Sequence, residues 1–456
     1  MTQKACFQTG LFLLLFLTGA SVTGSASEAG LSSPQDLVLL SEDGGWCWFE
    51  DPRAVIVENR LIVGIVASGH EDASRKGDIR ALVYDLVSGQ TTEVELADQL
   101  QLDDHDSPVF LPLQGSGIVA LWSLHGNENR FYYRFSKGDN PDQWEDTQFH
   151  IASDSSRVTY SNPFQLPDEG NRIYNFFRGL DNSFKPSYAY SDDLGKTWTT
   201  GAVFIDVPSE FRHRPYVKYA SNGVDTVHML YTEGHPRNYD NSIYHLLYRD
   251  GMLRRSDGEP IAPLSEGLSR PEEGTLVFRG DPENVAWTVD IELDGQGRPF
   301  AVYSVQVGSS GIPDRQGGLD HRYRLASWSG SSWHEEEIAY AGQRLYPGED
   351  DYTGLAALIP GHPDKVYIST DAHPDSGKPL ISRTDGKRHY EIFKGTPGSS
   401  NEWIWEPITA DSTQDNLRPI VPHPKDGRTV LLWLRGEYRT YTDYSLAVVG
   451  IPIAAE

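Results

Sequence analysis

YSNPFQLPDEGNRIYNFFRGLDNSFKPSYAYSDDLGKTW, running from Tyr160 to Trp198, contains one whole unit of a repeat that decides the fold. It opens with a tyrosine three residues before Pro163 and runs into a strand. It then turns into a second apolar strand, Ile173 to Phe177, with Arg178 at its end. A third, tyrosine-rich strand follows. The unit closes on Ser191-Asp192-Asp193-Leu194-Gly195-Lys196-Thr197-Trp198, which fits the Asp-box pattern S-x-D-x-G-x-T-W. Aspartate and glycine suit a tight turn there, and the tryptophan packs between sheets.

The same unit recurs along the chain about seven times. Its openings are Asp51-Pro52-Arg53, His105-Asp106-Ser107-Pro108, Tyr160-Ser161-Asn162-Pro163, Arg212-His213-Arg214-Pro215, Trp287 to Leu293, Tyr352 to Leu358, and Asn416-Leu417-Arg418-Pro419. The second strands include Leu61 to Ala67, Ile118 to Leu124, Ile173 to Phe177, Thr226 to Tyr231, Pro299 to Val305, Lys365 to Thr370 and Thr429 to Leu434. A period of about 55 to 70 residues with three or four strands is the signature of propeller blades. One such unit cannot bury both faces of its sheet, so the units must stack around an axis. The expected fold is therefore all-β, a seven-bladed β-propeller in a single domain. Two stacked β-sandwiches are the alternative, but no linker rich in Pro, Ser or Gly divides the chain. Composition agrees: 11 Trp, 23 Tyr, 17 Phe and 43 Gly in 456 residues, with no long segment of helical apolar spacing.

The N-terminus sets the compartment. Lys4 precedes an apolar run, Leu11 to Ala20, and small residues follow at Gly24-Ser25-Ala26. This reads as a secretory signal peptide over residues 1–26, with the propeller over 27–456 and a product that is secreted or periplasmic. The run is too short for a membrane anchor, and no other segment can span. After cleavage Cys47 is the only cysteine, so no internal disulfide forms. A chain of this length can bury a large core without one. The formal charge of −26 argues against nucleic acid as a partner. It does not favour an anionic polymer either, so such a substrate requires positive charge gathered locally.

The repeat also places the chemistry. In an antiparallel pair, the start of the first strand and the end of the second share one end. His105 and His125 hold those places in the second unit, Tyr160 and Arg178 in the third, and Arg212, Arg214 and His235 in the fourth. Taken singly, each has a bland reading as core, surface or ion pair. Equivalent places in neighbouring repeats gather them at one mouth. The set suits elimination across a uronic acid. Arg178 neutralises the carboxylate, His105 takes the proton beside it, and Tyr160 protonates the leaving oxygen.

The stretches Gly45 to Arg53 (GWCWFEDPR), Asp103 to Pro108 (DDHDSP), Arg214 to Tyr219 (RPYVKY), Asn241 to His245 (NSIYH), and Trp433 to Gly436 with Tyr441 to Tyr444 resemble the BNR-repeat propeller family that includes the ulvan lyases. The resemblance covers nearly the whole mature chain. It implies a carbon–oxygen lyase that cleaves ulvan, a sulfated rhamnose–uronate polymer, and leaves a 4,5-unsaturated uronate. By motif position His105, Tyr160, His125 and Arg178 take the catalytic roles, with His125 assisting. One uronate epimer would use His105 as base and the other Tyr160. A fourth-blade tyrosine contacts substrate, and both Tyr216 and Tyr219 fit. Arg212 and Arg214 join them as substrate-binding residues. No cofactor is required for the chemistry. Some relatives carry a structural zinc on the same face, for which His235 and His245 are the candidates. The expected protein is a monomer. Two rivals stand beside this reading: a sialidase-like glycoside hydrolase, which needs a carboxylate pair or a tyrosine–glutamate nucleophile, and a non-catalytic polysaccharide-binding propeller.

Overall fold

Each apolar run of the repeat pairs antiparallel with the next run along the chain, and the pairings fall into seven separate sheets. A computed structural model describes residues 37–454 apart from 182, 207–213, 314, 400 and 401. The expected signal peptide and Arg212 lie outside the described residues. The inner strands of the seven blades are Ala54–Val57, Val109–Leu113, Thr159–Leu166, Val217–Ser221, Asn284–Leu293, Ala356–Ile359 and Asp415–Ile420. They neighbour one another around a central channel. Each hands over to a second strand, such as Gly117–Trp122 in blade 2 and Arg172–Gly179 in blade 3, and the sheet continues outward. The chain is a seven-bladed β-propeller. Among the described residues no helix is long and apolar enough to cross a membrane.

The ring closes without a covalent bond. Strand Val38–Ser41 pairs with Asp443–Ala454, Val38 opposite Gly450, and completes blade 7. That pairing covers an edge that would otherwise recruit other strands. The buried apolar side chains fall into wedges between neighbouring blades. Leu166, Tyr174, Phe176, Tyr219, Met229 and Tyr231, for example, fill the gap between blades 3 and 4. Blades 1 and 2 approach so closely that a Cβ on Gly64 would lie 1.9 Å from the Pro108 carbonyl oxygen. Only glycine fits there. The Asp-box is a turn between the third and fourth strands of blade 3. Asp193 accepts from the Thr197 main-chain N–H at 2.8 Å, and Trp198 packs edge-on against Phe131.

The channel is not open throughout. Residues 45–53 cross it as an irregular plug with Trp46, Cys47, Trp48, Phe49 and Glu50 all buried. The plug is tied to the blades around it. Gly45 bonds Val66 at 3.0 Å, Cys47 N–H donates to Asp104 at 3.0 Å, and Asp51 N–H donates to Asn162 at 2.7 Å. The Trp48 indole donates to the Thr288 carbonyl at 3.2 Å and its ring meets Tyr352, while Arg418 donates to the Trp46 carbonyl. On the far side the channel keeps a cavity of about 300 Å³, whose walls include Lys218, Asp290 and Glu292.

Candidate active site

The start of each inner strand and the end of each second strand do meet at one end: Thr159 pairs with Arg178, Val109 with Leu121, and Val217 with Tyr231. His105 lies in a single 3-10 turn, Asp104–Asp106, just before the blade 2 inner strand. His125 lies three residues past the second strand of the same blade. The two imidazoles stack with centroids 3.9 Å apart and planes 7° apart. The Tyr160 ring lies 5.7 Å from that of His105, with the planes 20° apart. The Arg178 guanidinium stands over the Tyr160 ring at 4.6 Å and over the Tyr216 ring at 4.5 Å. His125, His105, Tyr160, Arg178 and Tyr216 thus form one continuous column across blades 2, 3 and 4.

Local backbone strain supports that column. Tyr160 has φ 68° beside a bulge between Thr159 and Asn162, a left-handed conformation that aromatic residues seldom adopt. Such strain persists where the surroundings impose it, and it concentrates at functional sites. Here Ser123 donates to the Tyr160 carbonyl at 2.9 Å, and Phe49 of the plug backs the ring at 5.7 Å.

The column is chemically primed. The Tyr160 hydroxyl and the Nε and Nη1 atoms of Arg178 are buried with no hydrogen-bond partner. Buried polar groups in folded proteins are nearly always paired, so orphan donors side by side call for an acceptor from outside. Burial raises the Tyr160 pKa well above its usual value, although Arg178 and His105 pull it down, so the phenol keeps its proton. Burial works against a charge on His105, yet Cys47, Tyr160, Asp103 and Asp104 outweigh it and raise its pKa well above the ordinary range. Burial and then the charge of His105 push His125 down to about 4.

Several neighbours escaped the sequence reading. Asp103 lies 2.6 Å from His105 Nδ1 and 2.8 Å from His125 Nδ1. Asp104 accepts from Arg418 at 2.5 Å and from Tyr438 at 2.6 Å. Tyr441, from the blade 7 hairpin, stands edge-on to His105 at 5.2 Å and to His125 at 5.6 Å. The run Asp103-Asp104-His105-Asp106 was the signal available: carboxylates that dense around a histidine rarely serve only as turn caps.

The remaining expectations divide. Tyr216 lies in the column, 5.3 Å from Trp287 and 5.6 Å from His235. Tyr219, three residues on, stacks on Phe176 at 5.2 Å in the core between blades 3 and 4. Arg214 is exposed, and its charge helps depress the His235 pKa after burial and Arg237. Lys218, within the Arg214 to Tyr219 stretch, is 1% exposed: it pairs with Asp51 at 2.6 Å and donates to the Trp48 carbonyl at 2.5 Å. It braces the plug.

The zinc expectation does not fit. His235 faces Tyr216 and Trp287 at the mouth, and its Nδ1 accepts from the Arg237 N–H at 3.1 Å. His245 belongs to the third strand of blade 4, where one ring nitrogen meets His228 at 3.1 Å and the other Ser256 at 2.8 Å. Strand alternation turns it into the sheet packing, so both nitrogens are taken and the two histidines do not converge. Among the described residues three other groups bring ligand-type atoms within 4.8 Å of one another: Cys47, Asp104 and His105; Asp103, His105 and His125; and, away from the column in blade 1, Asp78, Glu95 and Asp98. In the first two, the carboxylates already serve histidine, arginine and tyrosine, which is the wiring of a proton network.

Comparison with known proteins bears on the family and the fold. A family model described as BNR repeat-containing family member matches residues 72–341. No curated protein matches. A solved ulvan lyase bound to -[GlcA(1-4)Rha3S]- is 13% identical over 92% of this chain and 96% of its own, with TM-score 0.66. The polysaccharide lyase Uly1 is 12% identical over 92% of this chain and 98% of its own, with TM-score 0.56. At such identity the two structures speak for the shared propeller. The family match spans more than half of the chain, and the chain belongs to the BNR repeat-containing family.

Proposed function

We propose that this protein is an exported polysaccharide lyase that cleaves a sulfated rhamnose–uronate polymer of the ulvan type by β-elimination. The observation that carries the reading is the orphan donor set: the buried Nε and Nη1 of Arg178 and the Tyr160 hydroxyl, unsatisfied and adjacent, beside two histidines. A uronate carboxylate supplies the missing acceptor. The similarity in fold to an ulvan lyase solved with a glucuronate–rhamnose-3-sulfate ligand supports the substrate class.

The reaction has three parts. Arg178 pairs with the carboxylate and stabilises the negative charge that spreads onto it as the adjacent C5–H bond breaks. His105 Nε2 accepts that proton, with His125 assisting. The electron pair forms the C4–C5 double bond and expels the C4 oxygen, which takes the Tyr160 proton. Each positioned proton transfer is typically worth about 100- to 10,000-fold. The C5 proton points to opposite faces in glucuronate and iduronate, so His105 is the base for the epimer whose proton faces it. For the other, Tyr160 takes the C5 proton only after giving up its own to a neighbouring base, and then returns the proton it has gained to the leaving oxygen. Tyr216 lines the same column and contacts the sugar. The two acids nearest the pair, Asp103 and Asp104, are bound to histidine and to Arg418. They are poorly placed for the open carboxylate pair of a glycoside hydrolase.

Incubating the purified protein with ulvan and following near-ultraviolet absorbance tests the reading. Elimination yields a growing absorbance and oligosaccharides ending in an unsaturated uronate. Saturated ends carrying the elements of water would show hydrolysis, and binding without turnover would leave a lectin-like propeller.

A further inference from the structure

Asp103 stands between the two histidines and fixes more than their positions. It is 2% exposed. Its Oδ1 accepts from the His105 main-chain N–H at 3.0 Å and lies 2.6 Å from His105 Nδ1, while its Oδ2 lies 2.8 Å from His125 Nδ1. Burial favours the neutral acid, but the two histidines outweigh it and hold the Asp103 pKa well below the carboxylate range. An ionised carboxylate only accepts hydrogen bonds, so both Nδ1 atoms must carry hydrogen. A neutral imidazole has one N–H, which leaves each Nε2 as an acceptor.

The stacking adds a second constraint. Two charged imidazoles with centroids 3.9 Å apart would repel strongly in a buried setting, so the pair holds at most one extra proton. Geometry says where it resides. His105 Nδ1 has two carboxylates, Asp103 at 2.6 Å and Asp104 at 2.9 Å, whereas His125 Nδ1 has Asp103 alone at 2.8 Å. The other groups facing the pair are Cys47 and Glu50 from the plug, Asp106 from the His105 turn, Tyr160 and Arg178 from blade 3, Tyr346 and Tyr352 from the approach to blade 6, and Tyr441 from blade 7. Arg418 holds Asp104 in place. The opposite displacements of the two histidine pKa values agree with this placement.

We propose that Asp103 is a positioning residue that sets both imidazoles as Nδ1–H tautomers and confines the pair to one extra proton, held on His105. The pair can then accept a substrate proton at His105 only after that proton has left. The second half of the proposal rests on the lyase reading; the tautomer assignment does not.

The direction of the pH effect follows. His105 is an acceptor only above its own pKa, so kcat/KM of the native protein climbs as pH rises through it. Removing the Asp103 charge lowers that pKa, so in Asp103→Asn the acid limb moves to lower pH. Plateau kcat falls at the same time, by roughly 100- to 10,000-fold, because the tautomer is no longer fixed. KM changes far less. A purely structural role would lower activity and leave the limb in place.

The test combines kcat/KM–pH profiles on ulvan oligosaccharides with nitrogen-15 NMR of histidine-labelled protein free of substrate. Asp103→Ser accompanies Asp103→Asn because serine can still cap the 3-10 turn. In the native protein His105 and His125 should report Nδ1–H, and the acid limb should shift down in both variants. An Nε2–H signature on both native histidines, or an unmoved acid limb in variants with a native-like melt, overturns the proposal. Should the variants fail to fold, the native spectrum still decides the tautomer. A native Nδ1–H signature without turnover on any uronate polymer would sink the lyase reading and leave the tautomer assignment supported.

Discussion

Arg178 is buried between two phenol rings, and two of its donors have nothing to bind. Such a group is costly to leave unpaired, which makes it the residue where the proposed chemistry is most exposed to test. Arg178→Lys keeps the charge but loses the planar fork that grips a carboxylate with two parallel bonds. We expect kcat to fall by roughly 100-fold, Arg178→Ala to fall further, and KM to rise much less, because the charge grows toward the transition state. Steady-state kinetics on both variants check this, and near-normal kcat for folded Arg178→Ala would move the carboxylate to another residue. The residues of the column were legible in the sequence because equivalent places in adjacent repeats converge at one end. The acidic run around His105 was a signal for a carboxylate partner, but it did not say which of Asp103, Asp104 and Asp106 serves the ring. The link from Asp103 to His125 exists only once the second strand has brought that ring back.

The plug, residues 45–53, is the element that most separates this channel from a plain ring of blades. Phe49 backs Tyr216 at 4.7 Å and Tyr160 at 5.7 Å, so it supports the column from below. Phe49→Ala should cost about 3–5 kcal/mol of stability and also lower kcat, because both phenols lose their backing. Phe300→Ala, at a buried site in the blade 5 second strand, should lower stability comparably while the folded fraction keeps its kcat. Thermal melts and active-site-normalised kinetics on the pair decide this, and equal kcat losses would deny the plug a role in the site. The strands were readable from apolar runs between turns. The plug was not, because it has no alternation and belongs to no sheet. The burial of Lys218 was not legible for a related reason: its partners, Asp51 and the Trp48 carbonyl, arrive from a segment about 170 residues earlier.

At the scale of the molecule, seven blades give a rigid ring whose one end collects what single repeats could only scatter. Pairing of Val38–Ser41 with Asp443–Ala454 closes that ring, and the column draws its residues from the neighbouring blades 2, 3 and 4. The chain carries a charge of −26, and its proposed substrate is anionic. At 0.15 M salt the Debye length is about 8 Å, so acids farther than that from Arg178 and Arg214 are largely screened. The fold cannot choose among chemistries, since propellers host many, and the site must. The most direct measurement is a crystal structure of Tyr160→Phe, which removes only the hydroxyl, bound to a glucuronate–rhamnose-3-sulfate oligosaccharide. The lyase reading expects the uronate carboxylate within about 3 Å of the Arg178 guanidinium, with His105 Nε2 facing C5. An oligosaccharide bound with its carboxylates elsewhere, and Arg178 Nε and Nη1 still unsatisfied beneath it, would contradict that reading.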